Sequence, residues 1–440
     1  MKRYTATIRF LASSALSLLG NSVAGVVLPL ILLARTGDPL AAGALALICA
    51  VPQMLAGLMG GALLDRLNRR NVSIVSDFVS AASIALMPVV DMVWGLDFGW
   101  FVVLGLLGAV GDIPGMTARD TLLPAVTKRD GVDMQQFLGV SQSLDSLVTI
   151  VGPALAAMLI GFGGDINALW VTAALSCAAA LVTVTLPRSV GDVPRGEQTA
   201  PASLRGIVRE TRASLSEGVR ILFKNDAVLR ASTLLSFGIV MVLGSFQGLV
   251  LPVHFTESGH PELLGYVLSS MSFGLLAGSL GYAALAPRLR KRTWYILSLA
   301  GMAAGVGVMA SLPSYPVMLA GAALLGITAG PASALLGFFA YDRIPAERRG
   351  SALGTQNALL LVAAPVAVFA ASVGVSEAGT GATALALFAV WALVTACALI
   401  APGMRSIDDV ISPEALDDGP AEMPEAPSPC KESEKAQARL

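Results

Sequence analysis

Twelve apolar stretches dominate the chain, each close to the roughly 20 residues that a helix needs to cross a bilayer. Apolar residues make up 55% of the 440 residues, whereas Asp, Glu, Lys and Arg make up only 13%. An ordinary soluble domain has about 25% charged residues, so a soluble enzyme is excluded. We therefore predict an all-α membrane protein, because helices satisfy their own backbone in lipid. The predicted spans are 10–33, 40–64, 72–94, 99–118, 136–160, 166–187, 230–253, 262–286, 294–312, 315–340, 352–374 and 380–401.

The positive charges fall on one side of the predicted membrane. If the N-terminus is cytoplasmic and the spans alternate, cytoplasmic segments contain 28 of the 29 Lys and Arg residues, all except Arg35. An excess of Lys and Arg in cytoplasmic loops is the usual sign of orientation. We therefore predict a multi-pass protein of the cell inner (cytoplasmic) membrane with both termini in the cytoplasm.

Composition divides the chain into four parts. We predict a six-helix bundle at 1–187, a cytoplasmic linker at 188–229, a second six-helix bundle at 230–401 and a disordered acidic tail at 402–440. The second part of the linker has the pattern of an amphipathic helix, which suits either the anionic inner leaflet or a protein partner.

The sequence carries no sign of bound nucleic acid, metal or cofactor. The basic residues form short clusters and no basic domain, and the four cysteines have neither metal-site nor disulfide spacing. We expect the lipid bilayer as a partner and no nucleic acid.

Three short motifs recur in the second half of the chain at nearly one offset. The offsets are 223, 222 and 221 residues, and the pairs are Gly25–Pro29 with Gly248–Pro252, Arg66–Arg70 with Arg288–Arg292, and Leu123-Pro124 with Ile344-Pro345. Two six-helix halves repeated in the same orientation form one of the known secondary-transporter architectures.

The segment Gly60-Gly-Ala-Leu-Leu-Asp-Arg-Leu-Asn-Arg-Arg70 resembles the signature loop of the major facilitator superfamily. Asn68 stands where the family usually has Gly. The resemblance covers roughly 10–401 through topology, orientation and repeat, and it implies the major facilitator fold of twelve transmembrane helices in two six-helix pseudo-repeats. It also implies a gate role for the loop, while membrane anchoring by its positive charges is the other interpretation. The matching residues are Gly61, Asp65, Arg66, Arg69 and Arg70.

Span five contains Gly152-Pro153, which resembles the exporter-associated motif of the same superfamily. Ala156 and Ala157 occupy the later glycine positions of that motif, so the match is partial. The resemblance implies export, and the other interpretation is a proline kink in a closely packed helix.

Two acidic residues, Asp112 and Asp145, lie well inside predicted spans. Carboxylates at membrane depth are costly and are functional candidates by default. Either Asp112 or Asp145 carries a coupling proton, or both belong to a static ion network with Arg119 and Asp77. Arg119 lies on the same helical face as Asp112, so it can pair with an acid in either interpretation.

Polar, Met and aromatic residues near the predicted midplane are candidates for the lining of a substrate cavity. Met and aromatic surfaces suit varied hydrophobic substrates, although each residue singly is also compatible with ordinary packing. The candidates are Asn21, Gln53, Gln142, Phe246, Gln247, Met271, Phe273 and Phe338.

The resemblance to the drug, macrolide and siderophore efflux branch implies a monomeric secondary active exporter of amphipathic small molecules that works by proton antiport. No phosphate-binding loop, nucleophile elbow or metal cluster is present, so an enzyme is not predicted. The alternatives are an importer of a nutrient or lipid on the same fold, and a membrane sensor or scaffold without transport activity.

Overall fold

The computed structural model describes residues 5–64, 67–192, 215–285, 288–344 and 349–401, and within these ranges it contains helices, turns and loops but no strand. Apolar stretches with few internal charges form the helices, as the sequence predicts. The long helices are α1 (Thr5–Thr36), α2 (Pro39–Leu64), α3 (Arg69–Val93), α4 (Phe98–Asp130), α5 (Met134–Met158), α6 (Gly164–Val184), α7 (Ala227–Glu257), α8 (Leu263–Leu285), α9 (Lys291–Ala310), α10 (Tyr315–Arg343), α11 (Arg349–Ala378) and α12 (Thr380–Ile400).

Ten segments of the described chain are long and apolar enough to cross a membrane by length and composition. One of them, Val140–Val184, contains most of α5 and all of α6, and α2 contributes a shorter apolar segment, Pro39–Met54. The prediction of an all-α membrane protein is therefore confirmed.

The helices pack in two equivalent groups of six. In the first half, α1 packs on α5 and α6, α2 on α4, and α3 on α4 and α6. In the second half, α7 packs on α11 and α12, α8 on α10, and α9 on α10 and α12. Adding six to each helix number converts the first pattern into the second, which is the predicted pseudo-repeat.

Helix α4 is longer than the sequence predicts. The predicted span ends at residue 118, whereas α4 continues to Asp130 with Pro114 and Pro124 inside it. Gly131 ends the helix in a left-handed conformation, at a φ of 65°, and its N–H donates to the Thr127 carbonyl. Arg119 consequently lies inside a helix and not in a loop.

The described chain begins and ends on the same side of the bundle, which we call the termini side; the opposite side is the far side. On the termini side, the Thr7 N–H and hydroxyl both donate to Asp130 Oδ2, at 2.8 and 3.0 Å, and tie α1 to α4. In the second half, Arg343 Nη1 lies 3.3 Å from Asp226 Oδ2, next to the first turn of α7. Each half is thus tied at the equivalent pair of helix ends.

The predicted amphipathic helix of the linker is described only near its end, because 193–214 lie outside the described residues, as does the tail at 402–440. Ile221 and Leu222 are buried against Leu229, Ile344 and Ala352 of the second half. This part of the linker therefore packs on protein.

Candidate functional site

Arg119 of α4 and Asp77 of α3 form an ion pair inside the first half. Arg119 Nη2 contacts both Asp77 carboxylate oxygens, and Ser17 of α1 donates a hydrogen bond to Asp77 Oδ1 at 3.0 Å. The Arg119 and Asp77 side chains are only 11% and 6% exposed. A buried charge is costly unless it is paired, and here each charge compensates the other.

Small residues bring α3 and α4 close enough for this pair to form. A Cβ added at Gly108 or Gly115 of α4 would overlap Ser83 or Ser76 of α3. The Ser76 hydroxyl also donates to the Gly111 carbonyl across the same contact. Glycine and serine are the residue types that allow close helix approach in membranes.

Asp112 lies two turns from Arg119, at the contact between α3 and α4, which we call the seam. Its carboxylate forms a hydrogen bond with Ser80 of α3, and it is within electrostatic range of Asp77 and Arg119. Among the described residues, no Lys or Arg forms an ion pair with Asp112. The seam thus contains two carboxylates and one guanidinium.

Asp145 of α5 has a different neighbour. It is half-buried and interacts electrostatically with Asp120, an exposed residue of α4 that sequence reasoning missed. The structure therefore brings together Asp112, Arg119 and Asp77 and sets Asp145 beside Asp120. Asp120 was not a candidate because the predicted span ended at residue 118, whereas the structure continues α4 to Asp130.

The signature loop is described only in part. Asp65 and Arg66 lie outside the described residues, and Gly61 is in the last turn of α2. Arg69 begins α3, and the next residue, Arg70, is buried. The Arg70 guanidinium donates to the Val184 carbonyl at the end of α6 and, at 3.1 Å, to Asn71 Oδ1. A cation at a helix C-terminus is favoured by the exposed carbonyls there.

Asn68 joins the same loop to the start of the linker. Its Oδ1 caps α3 by accepting from the Asn71 N–H at 3.2 Å, and its amide donates to Asp192 Oδ1 at 2.8 Å and to the Arg188 carbonyl at 3.2 Å. A Cβ at Gly191 would overlap Asn68 and the backbone of Arg70. The loop is therefore clamped to 188–192, a contact that the sequence did not predict.

The motif Gly152-Pro153 lies where α5 meets α1 and the second half. A Cβ at Gly152 would overlap Ser22 of α1, and Gly265 of α8 packs directly on the Pro153 carbonyl. One turn away, the Ser269 hydroxyl donates to the Ile150 carbonyl at 2.7 Å. These contacts join the two halves in the part of α5 and α8 that is nearer the far side.

A second contact between the halves joins α2 to α11. Gly43 of α2 packs so closely on Ser372 and Phe369 of α11 that it has no room for a side chain. Helix α1 also packs on Leu251–Glu257, the far-side end of α7. The halves are therefore closed against each other on the far side.

The polar cavity candidates are spread over both halves. Asn21, Gln53 and Gln247 are half-buried, and Gln142 is exposed. Gln247 lies in a π-helical turn of α7, Phe246–Val250, and its amide nitrogen is 3.8 Å from the Met271 sulfur of α8. Single π-helical turns within helices are frequent at functional sites. Gln247 and Met271 are thus the candidates that the structure brings together.

The aromatic candidates occupy three different environments. Phe246 is buried in the core, at 2% exposure. Phe273 is 62% exposed, and it shares its face of α8 with exposed Tyr266 and Leu280. Phe338 lies near the termini-side end of α10, with Lys291 Nζ 4.1 Å from its ring centroid. The three rings do not form one lining.

Within the described ranges, no group of three or more His, Cys, Asp or Glu side chains is arranged to hold a metal ion.

The chain matches the family model described as Major Facilitator Superfamily over residues 10–260 and 233–432. It is 31% identical over 392 residues to the multidrug efflux pump Tap of Mycolicibacterium fortuitum, covering 88% of this chain and 94% of that protein. It is 23% identical over 377 residues to macrolide efflux protein A of Streptococcus pyogenes, covering 83% of this chain and 89% of that protein. The crystal structure of the nucleoside transporter NupG has a similar fold, with a TM-score of 0.70 at 14% identity, covering 90% of this chain and 98% of that one.

Proposed function

The chain belongs to the Major Facilitator Superfamily, and from this membership we propose that it is a secondary active exporter of amphipathic small molecules, driven by proton influx. The observation that carries the proposal is its similarity, along nearly the whole length of both chains, to a multidrug efflux pump and to a macrolide efflux protein. The substrates are drug-like, macrolide-like or siderophore-like compounds, and the unit that transports them is the monomer.

The termini side faces the cytoplasm in this proposal. With that orientation, the predicted spans leave 28 of the 29 Lys and Arg residues in cytoplasmic segments, and the structure moves one of these, Arg119, into α4. The remaining excess is the distribution expected of an inner-membrane protein. The contacts of Gly265 with Pro153 and of Gly43 with Ser372 then close the bundle toward the outside. Substrate enters from the cytoplasm or the inner leaflet.

Export proceeds by alternating access between the two halves. Each half is tied internally, by Thr7 with Asp130 in the first and by Asp226 with Arg343 in the second. At the glycine contacts between the halves the helix backbones lie close together but form few hydrogen bonds. The halves therefore separate without leaving many buried polar groups unpaired. Rocking of the halves opens the far side and releases substrate there.

The substrate contacts proposed here are mainly apolar. Amides at Asn21, Gln53 and Gln247 supply a few hydrogen bonds, and Met271 supplies an adaptable surface beside Gln247. A mostly apolar site with a few polar groups suits ligands of varied shape and mixed polarity.

Accumulation of ethidium and of radiolabelled erythromycin in cells tests the proposal. Cells that produce the protein should hold less of at least one compound than cells that lack it, and an uncoupler should abolish the difference. Equal accumulation of both compounds with and without the protein contradicts export of this substrate class. Higher accumulation in the producing cells indicates an importer, and a difference that survives the uncoupler contradicts coupling to protons.

A further inference from the structure

The buried seam between α3 and α4 contains one more negative charge than positive charge. Arg119 Nη2 contacts both carboxylate oxygens of Asp77, whose other partner is the neutral Ser17 hydroxyl. Asp112 has Ser80 as its hydrogen-bond partner, and the charged groups within its electrostatic range are Asp77 and Arg119. One guanidinium therefore compensates one of two carboxylates.

The seam is enclosed within the first half. Helix α3 packs on α4 and α6, and Ser73, Ser76, Ser80 and Asp77 on its inner face are all buried. Among the described residues, the more extensive contacts between the halves involve α1, α2 and α5 of the first half. A charge held in the seam is thus separated by α4 from substrate bound between the halves.

An uncompensated carboxylate at this depth costs several kcal/mol and is normally neutralised. We propose that Asp112 is the residue that carries the transported proton, that Arg119 and Asp77 remain a fixed ion pair beside it, and that the seam carries one proton in each transport cycle. This inference rests on the proposed function of proton-driven export. The Asp112 carboxylate takes up one proton while the far side is open and releases it toward the termini side.

Two buried polar atoms mark the way from the seam to the termini side. Ser73 lies one turn before Asp77 on the same face of α3, is fully buried, and its hydroxyl has no hydrogen-bond partner among the described residues. The Arg119 Nε atom is also buried without a partner in that part of the chain. Buried polar atoms of this kind usually bind ordered water, which also conducts protons.

The proton and the substrate do not compete directly for one carboxylate. Proton binding at Asp112 changes the charge between α3 and α4, and α4 transmits the change through its contacts with α1 and α2. The other two neighbouring acids, Asp120 and Asp145, are more exposed. Asp145 serves in the test as the alternative proton-carrying residue.

The test uses the full-length protein in proteoliposomes with ethidium or erythromycin, whichever the wild type exports. An imposed proton gradient should drive uphill accumulation by the wild type. Asp112→Asn should reduce this accumulation to the level without a gradient, while downhill exchange stays within about twofold, because an amide resembles a protonated acid. Asp91→Asn, at the exposed ion pair with Arg35, should behave like the wild type.

The number of protons is measured on the wild type alone, so it does not depend on the folding of a variant. With the membrane potential clamped at zero, the equilibrium substrate ratio should change about tenfold for each unit of pH difference if one proton is carried, and about a hundredfold if two are carried. A value of two, or gradient-driven accumulation in Asp112→Asn, overturns the inference. Loss of coupling in Asp145→Asn but not in Asp112→Asn overturns it as well. A wild type that exports neither compound under a gradient instead overturns the proposed function and this inference with it.

Discussion

Arg119 on α4 and Asp77 on α3 form a buried ion pair, and Ser17 on α1 donates a hydrogen bond to the same Asp77 carboxylate. Three helices of the first half therefore meet at one charge. All three groups belong to one half, so the alternating access proposed above would leave the pair intact. The ion pair links helices within the first half, whereas the glycine contacts on the far side join the two halves.

Loss of one partner of this pair should destabilise the protein strongly. Asp77→Asn removes the carboxylate that Arg119 contacts, and Asp112, two turns away, forms no ion pair with Arg119 among the described residues. Breaking a buried ion pair by removing one partner typically costs about 3–5 kcal/mol. The double variant Asp77→Asn/Arg119→Gln should recover most of that loss, since the guanidinium that lost its partner is removed as well. Thermal unfolding of the purified protein in detergent measures both. Asp91→Asn is the control, because its partner Arg35 is 37% exposed and a pair open to solvent is worth less, about 0–1 kcal/mol. Equal destabilisation by Asp77→Asn and Asp91→Asn contradicts the assignment of a buried pair.

A methyl group at Gly265 should open the far side. Gly265→Ala places a Cβ against the Pro153 carbonyl, and overpacking of this kind costs about 1–3 kcal/mol. That cost applies only when α5 and α8 are in contact, so it shifts the equilibrium between the two states by roughly 5- to 150-fold. Spin labels at Asp38 and His260, on far-side loops of the two halves, should report a longer distance. Gly281→Ala on the same helix has open space around it and should leave the distance unchanged; a change there and none with Gly265→Ala contradicts the assigned contact.

The clamp between the signature loop and the linker predicts a local effect. Asn68→Ala removes the cap of α3 and two hydrogen bonds to the segment 188–192, and loss of a cap alone costs about 1 kcal/mol. Limited proteolysis should therefore cleave the linker faster in this variant. Asn167→Ala loses only a bond to the Gly163 carbonyl one turn earlier and serves as the control. Unchanged cleavage in Asn68→Ala means that the clamp does not restrain the linker.

Orientation is testable with cysteine chemistry. Cys430, in the tail, should react with a membrane-impermeant maleimide only after the cells are broken, whereas a cysteine introduced by Asp38→Cys between α1 and α2 should react in intact cells. Cys430→Ser removes the first signal and identifies it. Reaction of Cys430 in intact cells contradicts the cytoplasmic placement of the termini.

Helix number, pseudo-repeat and approximate bounds follow from the sequence because lipid imposes a length and a polarity on every span. The end of α4 does not follow. Pro124 and the bases after it have the pattern of a loop, yet the helix runs to Gly131 because a proline is tolerated within a helix that neighbouring helices support.

The partners of the deep charges were also beyond the sequence. Helical spacing places Asp112 and Arg119 on one face of α4, but it does not reveal that Asp77 reaches Arg119 while Asp112 meets Ser80. Which side chains meet depends on the rotation of α3 against α4, and that rotation is set by the contacts of Gly108 with Ser83 and Gly115 with Ser76. Such contacts involve two distant segments, and periodicity along one segment does not contain them.

Proton movement that depends on substrate tests the account most directly. In inside-out membrane vesicles acidified by respiration, the termini side faces the medium, and a pH-sensitive dye reports the acid interior. Addition of ethidium or erythromycin should release protons from vesicles that contain the protein, in proportion to the substrate taken up, and should have no effect on vesicles that lack it. Substrate uptake into the vesicles without any release of protons would contradict proton-driven export.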